Sequence, residues 1–75
     1  MHKSDRKRIA FLASTAELAQ SARNTFVHQF GDCDSSEADV IVALGGDGFM
    51  LQTLHLTQHL NVPVYGMNRG TVGFL

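Results

Sequence analysis

The stretch VIVALGGDG, residues 40–48, decides the fold. Val40 to Leu44 is an unbroken apolar run of β-branched and aliphatic residues, and it reads as a strand buried on both faces. It runs straight into three glycines set around one aspartate. Phe49 to Leu60 then reads as a helix. On it Gln52, His55 and His59 fall in one polar wedge, with Leu51, Leu54, Leu56 and Leu60 outside it. Strand, glycine turn and helix in direct succession make one half of a β-α-β unit.

Working upstream, Ile9 to Ala13 is a second short apolar run and a second strand candidate. Ser14 and Glu17 have capping-box spacing and predict a helix start in which each side chain bonds the other's backbone amide. Leu18, Ala19, Ala22, Phe26 and Phe30 recur as one apolar helix face, and Gly31 can end the helix. GDCDSSEAD, residues 31–39, is a polar loop. Downstream, Asn61 ends the second helix, Pro63 can open a strand, and Val64 to Met67 is the third strand candidate. The predicted order is β-α-β-α-β, an open parallel sheet of the α/β class with right-handed crossovers. Residues 1–8 form a basic N-terminal tail, and residues 9–75 a partial α/β nucleotide- or phosphate-binding domain. The sequence stops inside an apolar, glycine-rich stretch, and three parallel strands leave both sheet edges open. The domain is therefore expected to be truncated at its C-terminus.

Composition narrows the function class. The 75 residues carry 7 acidic and 6 basic side chains, with 44% hydrophobic and 17% charged residues, which is a globular balance. Such a charge gives no case for a nucleic-acid partner. The longest apolar runs, five residues each, are far short of the roughly 20 needed to span a membrane. One cysteine, Cys33, rules out a disulfide framework and a CxxC zinc site. The basic start before IAFLA is too short in its apolar part for a secretory signal, so the expected location is the cytoplasm.

The chemistry gathers at residues 45–48. Ligands of open α/β sheets bind beyond the carboxyl ends of the strands. Gly45, Gly46 and Gly48 allow a sharp turn and a close approach of backbone to ligand, and the following helix points its free amides and positive dipole end there. That is a phosphate site. Asp47 has the wrong sign for plain anion binding. Its place is explained if it accepts a proton from a hydroxyl nucleophile or helps hold a metal that neutralises phosphate. A tight turn is the plainer reading of GGDG, but a bare turn has no need of three glycines. A P-loop is excluded because no Lys follows Gly48, and a dinucleotide GxGxxG fails at Leu51.

LGGDG at 44–48, with GMNRGTVGFL at 66–75, resembles the NAD kinase family. GGDG alone is shared with 6-phosphofructokinases and with diacylglycerol and sphingosine kinases. The second block, with Asn68, Gly70, Gly73, Phe74 and Leu75 in an N-x-G-x-x-G-F-L pattern, is the more specific. The resemblance covers residues 9–75, and only the N-terminal quarter to third of a typical member. It implies transfer of the γ-phosphoryl group of ATP, or of inorganic polyphosphate, to the 2′-hydroxyl of the adenosine ribose of NAD, giving NADP, with Mg2+ accompanying ATP. It implies Asp47 as proton acceptor, Asp47, Gly48 and Phe74 as NAD contacts, and Gly45, Gly46 and Gly48 facing the donor phosphates. No metal ligand is assigned. Asn68 and Arg69 stand at a strand end within possible reach of ligand. A homo-oligomer is implied for a full-length enzyme. Phe49 departs from the Thr that many members carry there, and the family's Asn-acid motif and β-rich C-terminal domain are not within these residues. The 75-residue chain alone is expected to be inactive. The alternatives are a truncated non-catalytic nucleotide-binding fragment, or a GGDG kinase acting on a lipid or sugar phosphate.

The other polar candidates are bland. His55 and His59 are four apart, but the HExxH glutamate is missing and no third ligand is evident. Asp32 and Asp34 flank Cys33 and should raise its pKa, making it a poor nucleophile.

Overall fold

In the computed structural model the described residues are 8–68 and 71–74, with backbone only at 68 and 71–74. Residues 1–7 of the basic tail, Arg69, Gly70 and Leu75 lie outside them. Strand β1 (Ile9–Ala13) leads to helix α1 (Glu17–Phe30), strand β2 (Val40–Leu44), helix α2 (Asp47–Thr57), strand β3 (Val64–Asn68) and strand β4 (Thr71–Phe74). Short 3-10 turns occupy Ser35–Glu37 and Gln58–Leu60. The sheet order is β1-β2-β3-β4. β1, β2 and β3 are parallel, as the sequence predicts, and their register sets Ala10 beside Ile41 and Ile41 beside Val64. β4 is an addition to that expectation. It pairs antiparallel with β3, Asn68 opposite Thr71 and Tyr65 opposite Phe74.

Side chains alternate across a strand, so the register sorts the core into two faces. Ala10, Ile41 and Val64 are buried on one face, where Leu54 of α2, Leu60, Cys33 and Ala38 pack against them. Phe11 points to the other face. There its ring stacks on Phe26 and Phe30 of α1, at centroid distances of 5.7 and 6.5 Å. The two helices therefore lie on opposite faces of a sheet whose strands run in sequence order. The expected pair of like right-handed crossovers is not what forms. After α1 the chain passes the outer edge of β1 at Asp32 and packs Cys33 and Ala38 beneath the sheet before entering β2.

Two local expectations are also corrected. The capping box does not form: α1 is preceded by Ala16 in an extended conformation with no side-chain cap. Ser14 Oγ instead accepts from the Ala16 amide at 3.3 Å, and Gln20 Nε2 donates to the Ser14 carbonyl at 2.8 Å. Leu18 is 84% exposed rather than part of the apolar face. It lies 100° round the helix from buried Ala19, at the margin of the stripe. Gly31 does end the helix, at φ 83°, with its amide donating to the Val27 carbonyl at 2.8 Å.

Helix α2 starts at Asp47, two residues earlier than its apolar pattern predicts. A carboxylate in the first turn is favoured by the helix dipole, and this outweighs the poor propensity of Gly48. Its buried side is Met50, Thr53 and Thr57, while Leu51 and Leu56 are 59% and 66% exposed. The two threonines are tolerated inside because each hydroxyl donates to the carbonyl one turn back, Phe49 O at 2.9 Å and Thr53 O at 2.7 Å. Asn61, at φ 54°, supplies the left-handed residue after the final 3-10 turn.

Candidate functional site

The carboxyl ends of the three parallel strands are level. Ala13 pairs with Leu44 and Leu44 with Met67, so Ser14, Gly45 and Asn68 come next in one row. Backbone bonds tie that row together, with Ser14 N–H donating to Leu44 O at 3.0 Å and Gly45 N–H to Met67 O at 3.2 Å. The glycine loop leaves the sheet here and α2 begins two residues later. The first helical bond, Met50 N–H to Gly46 O, is 3.0 Å long. Gly46 is extended at φ −87° and ψ −177°, and no side chain caps the helix. The first amides of a helix have no carbonyl of their own helix to donate to, so this end attracts anions.

The three glycines have different reasons to be glycine. None of them uses the left-handed region, so the turn itself does not demand them. A Cβ on Gly45 would sit 2.9 Å from Phe49 Cδ2 and 3.1 Å from both Cβ and Oγ of Ser14, so the chain's own packing disfavours a side chain there. A Cβ on Gly46 or Gly48 would meet nothing within 4 Å. The described residues give no internal reason for either. Two bare backbone positions at an uncapped helix start, facing open space, are what a phosphate needs to lie against the main chain.

Asp47 is the first residue of α2 and is exposed between these two glycines. The sequence-predicted residues Gly45, Gly46, Asp47 and Gly48 are thus brought together at the carboxyl edge. Asn68 joins their row through its backbone, while its side chain, like Arg69, lies outside the described residues. For Phe74 only the backbone is described. Its backbone is level with Tyr65, three residues down β3 from Asn68, and two strands across from β2. At about 3.3 Å per residue and about 4.8 Å per strand, that is roughly 10 Å in each direction. The Phe74 side chain itself lies outside the described residues. Ser14 is the site neighbour that sequence reasoning missed. Its capping pattern with Glu17 drew attention away from its place at the end of β1.

Among the described residues no group of three or more His, Cys, Asp or Glu side chains is assembled to hold a metal. His55 and His59 are both exposed, and the α-helix ends between them at Thr57. Mg2+ is held by one or two carboxylates together with substrate phosphates, rather than by a protein cage. A single exposed Asp47 beside the glycine loop is compatible with that pattern. Burial against the core pushes the Cys33 thiol above its ordinary range. Arg8 opposes the shift, and Asp32, Glu37 and Asp34 add to it. The direction is the one its acidic neighbours predict, but burial is the larger cause. No helix among the described residues is long and apolar enough to cross a membrane.

Comparison with known proteins follows the same lines. Residues 1–75 match the family described as the ATP-NAD kinase N-terminal domain. The chain is 67% identical over 69 residues to the NAD kinase of Cereibacter sphaeroides strain ATCC 17029, covering 92% of this chain and 27% of that protein. It is 63% identical over 68 residues to the NAD kinase of Xylella fastidiosa strain Temecula1, covering 91% and 26%. For the NAD kinase of Rhizobium meliloti strain 1021 the identity is 61% over 67 residues, covering 89% and 26%. The chain spans about a quarter of the length of the curated relatives it matches. No solved structure gives a significant match.

Proposed function

The chain belongs to the NAD kinase family, and from that premise we propose that its protein phosphorylates the 2′-hydroxyl of the adenosine ribose of NAD, giving NADP. The observation that carries the reading is Asp47, exposed at the first position of α2 between two glycines that the fold itself does not require. In the reaction the Asp47 carboxylate takes the 2′-hydroxyl proton, and the 2′-oxygen forms a bond to the γ-phosphorus of ATP. The bond from that phosphorus to the β–γ bridging oxygen breaks, and ADP leaves. Gly45, Gly46 and Gly48 present main chain and helix amides to the transferring phosphates. Asp47 is the carboxylate of the described loop that would help hold Mg2+ arriving with ATP, and the ion would supply charge neutralisation of the phosphates. Inorganic polyphosphate is the alternative donor. Phe74 stacks on the adenine at the far end of the substrate. The enzyme is a cytoplasmic homo-oligomer that takes no nucleic-acid partner.

The test is NADP formation by the full-length natural protein. Asp47→Asn lowers turnover by about 10²–10⁴-fold, with smaller changes in KM, as loss of a general base does. Near-normal turnover in that variant removes Asp47 from the role. Phosphorylation of a lipid or sugar phosphate, with NAD left untouched, overturns the acceptor. The coverage of about a quarter of each relative carries one further expectation: residues 1–75 on their own do not turn over NAD.

A further inference from the structure

We propose that Arg23 and Asp32 form a guard on the outer edge of β1 that blocks strand addition by a second copy of this chain. β1 is an edge strand of the described sheet. In a parallel pair, the backbone groups of alternate residues point toward the neighbour and away from it. Ser14 donates inward to Leu44, so Leu12 and Ala10 also face β2, while Ile9, Phe11 and Ala13 face outward. An exposed edge of this kind is a template for another strand.

The middle outward residue is the one that is covered. The Phe11 amide donates to Asp32 Oδ1 at 3.3 Å, and Arg23 Nε donates to the Phe11 carbonyl at 2.9 Å. The same two side chains are joined to each other, Arg23 Nη2 to Asp32 Oδ2. Arg23 comes from the middle of α1 and Asp32 from the loop that rounds the edge, so the clamp is assembled from both sides of β1. Both side chains remain about a third exposed. The pair therefore stands over the edge rather than inside the core.

The identity of the blocked partner follows from symmetry. Two identical chains most often associate about a two-fold axis, which sets β1 antiparallel to itself. For the five-residue strand Ile9–Ala13 the axis passes through Phe11. Phe11 would then face its own copy and exchange both backbone bonds with it, while Ile9 would face Ala13. Those two Phe11 groups are the ones that Asp32 and Arg23 occupy. The homo-oligomer proposed above is accordingly built on another surface.

The experiment compares wild type, Asp32→Ala and Asp32→Asn in the full-length protein, by amide hydrogen exchange and by sedimentation over a concentration series. At dilution, where Asp32→Ala does not yet self-pair, its Phe11 amide exchanges about tenfold faster while the inward Leu12 amide is unchanged, the size expected from one hydrogen bond. The same variant gains a concentration-dependent species larger than the wild-type assembly. Asp32→Asn keeps an acceptor for Phe11 and stays close to wild type in both. Arg23→Ala/Asp32→Ala associates more strongly than the single variant. If Phe11 and Leu12 accelerate together, the variant has lost its fold, and the judgement passes to Asp32→Asn: a Phe11 amide there as fast as in an unstructured peptide, with Leu12 protected, overturns the role of Asp32 as acceptor. Selective loss of Phe11 protection in Asp32→Ala without any new association overturns the guard.

Discussion

Replacing Gly48 by Ala separates what the glycine loop does for the fold from what it does for a ligand. Gly48 is the second residue of α2, and its added Cβ would meet nothing within 4 Å. Ala in place of Gly in a helix gains up to ~1 kcal/mol, through both backbone entropy and propensity, so the variant should be about 0.5–1 kcal/mol more stable. Gly45→Ala is the contrast. Its Cβ would stand 2.9 Å from the Phe49 ring and 3.1 Å from Ser14. Ser14 is held at its amide, which donates to the Leu44 carbonyl, and at its carbonyl, which accepts from the Gln20 side chain, so the ring must move, at a cost of about 1–3 kcal/mol. Urea unfolding should therefore shift the two midpoints in opposite directions. NADP formation by the full-length protein should not follow stability. If phosphate oxygens lie against the main chain at residue 48, the Ala methyl occupies their place, and kcat/KM falls at least tenfold, or about 1.4 kcal/mol, in the more stable variant. A Gly48→Ala protein that is stabilised and fully active would refute the assignment of that open space to a ligand. One destabilised by more than about 1 kcal/mol would refute the claim that the fold places no demand on Gly48.

Two further outcomes are expected. Phe74→Ala should weaken NAD binding more than ATP binding, measured as separate KM values, and an equal loss for both would trace to damage at the sheet instead. Cys33 should react with iodoacetamide more slowly at pH 8 in the folded protein than in urea, because burial raises its pKa and depletes the thiolate. By the same shift the folded state holds the thiol proton more tightly than the unfolded chain, so the stability from this group is present below the ordinary thiol range and is lost as pH rises through the raised value. Equal or faster alkylation of the native protein counts against that burial.

The parallel core was legible because its signals are redundant. Ile9–Ala13 and Val40–Leu44 are apolar without interruption, and Gly31, Asn61 and Pro63 mark breaks that the structure uses. What misled was pattern without context. Ser14 and Glu17 have capping-box spacing, but Ser14 lies at the end of β1, where its backbone serves the sheet and Gln20 takes its carbonyl. The leucines of α2 suggest an apolar side, yet Thr53 and Thr57 are turned inward, and local hydroxyl bonds make that tolerable. The face chosen by α1 could not be read at all. It depends on a loop rounding an edge, held by Asp32 and Arg23, residues that look in sequence like ordinary surface charges. At the site, proximity on the chain made residues 45–48 legible, whereas Ser14 and the distance to Phe74 are products of strand register.

The strand order also sets an order of assembly. Asn68 and Thr71 pair across 3 residues, Ile41 and Val64 across 23, and Ile9 and Val40 across 31. Closing the longest of these loops costs ~2 kcal/mol more chain entropy than closing the shortest. The β3–β4 hairpin therefore nucleates cheaply, while the β2–β3 and β1–β2 pairs, whose closure costs differ by only about 0.3 kcal/mol, form after it. On a ribosome the order of appearance is the reverse, since Ile9–Ala13 emerges first and must wait, apolar and unpaired, for β2 to be made. Until α1 and the following loop are in place nothing shields that strand, so the interval between its synthesis and its docking is when a nascent chain of this protein most needs a chaperone.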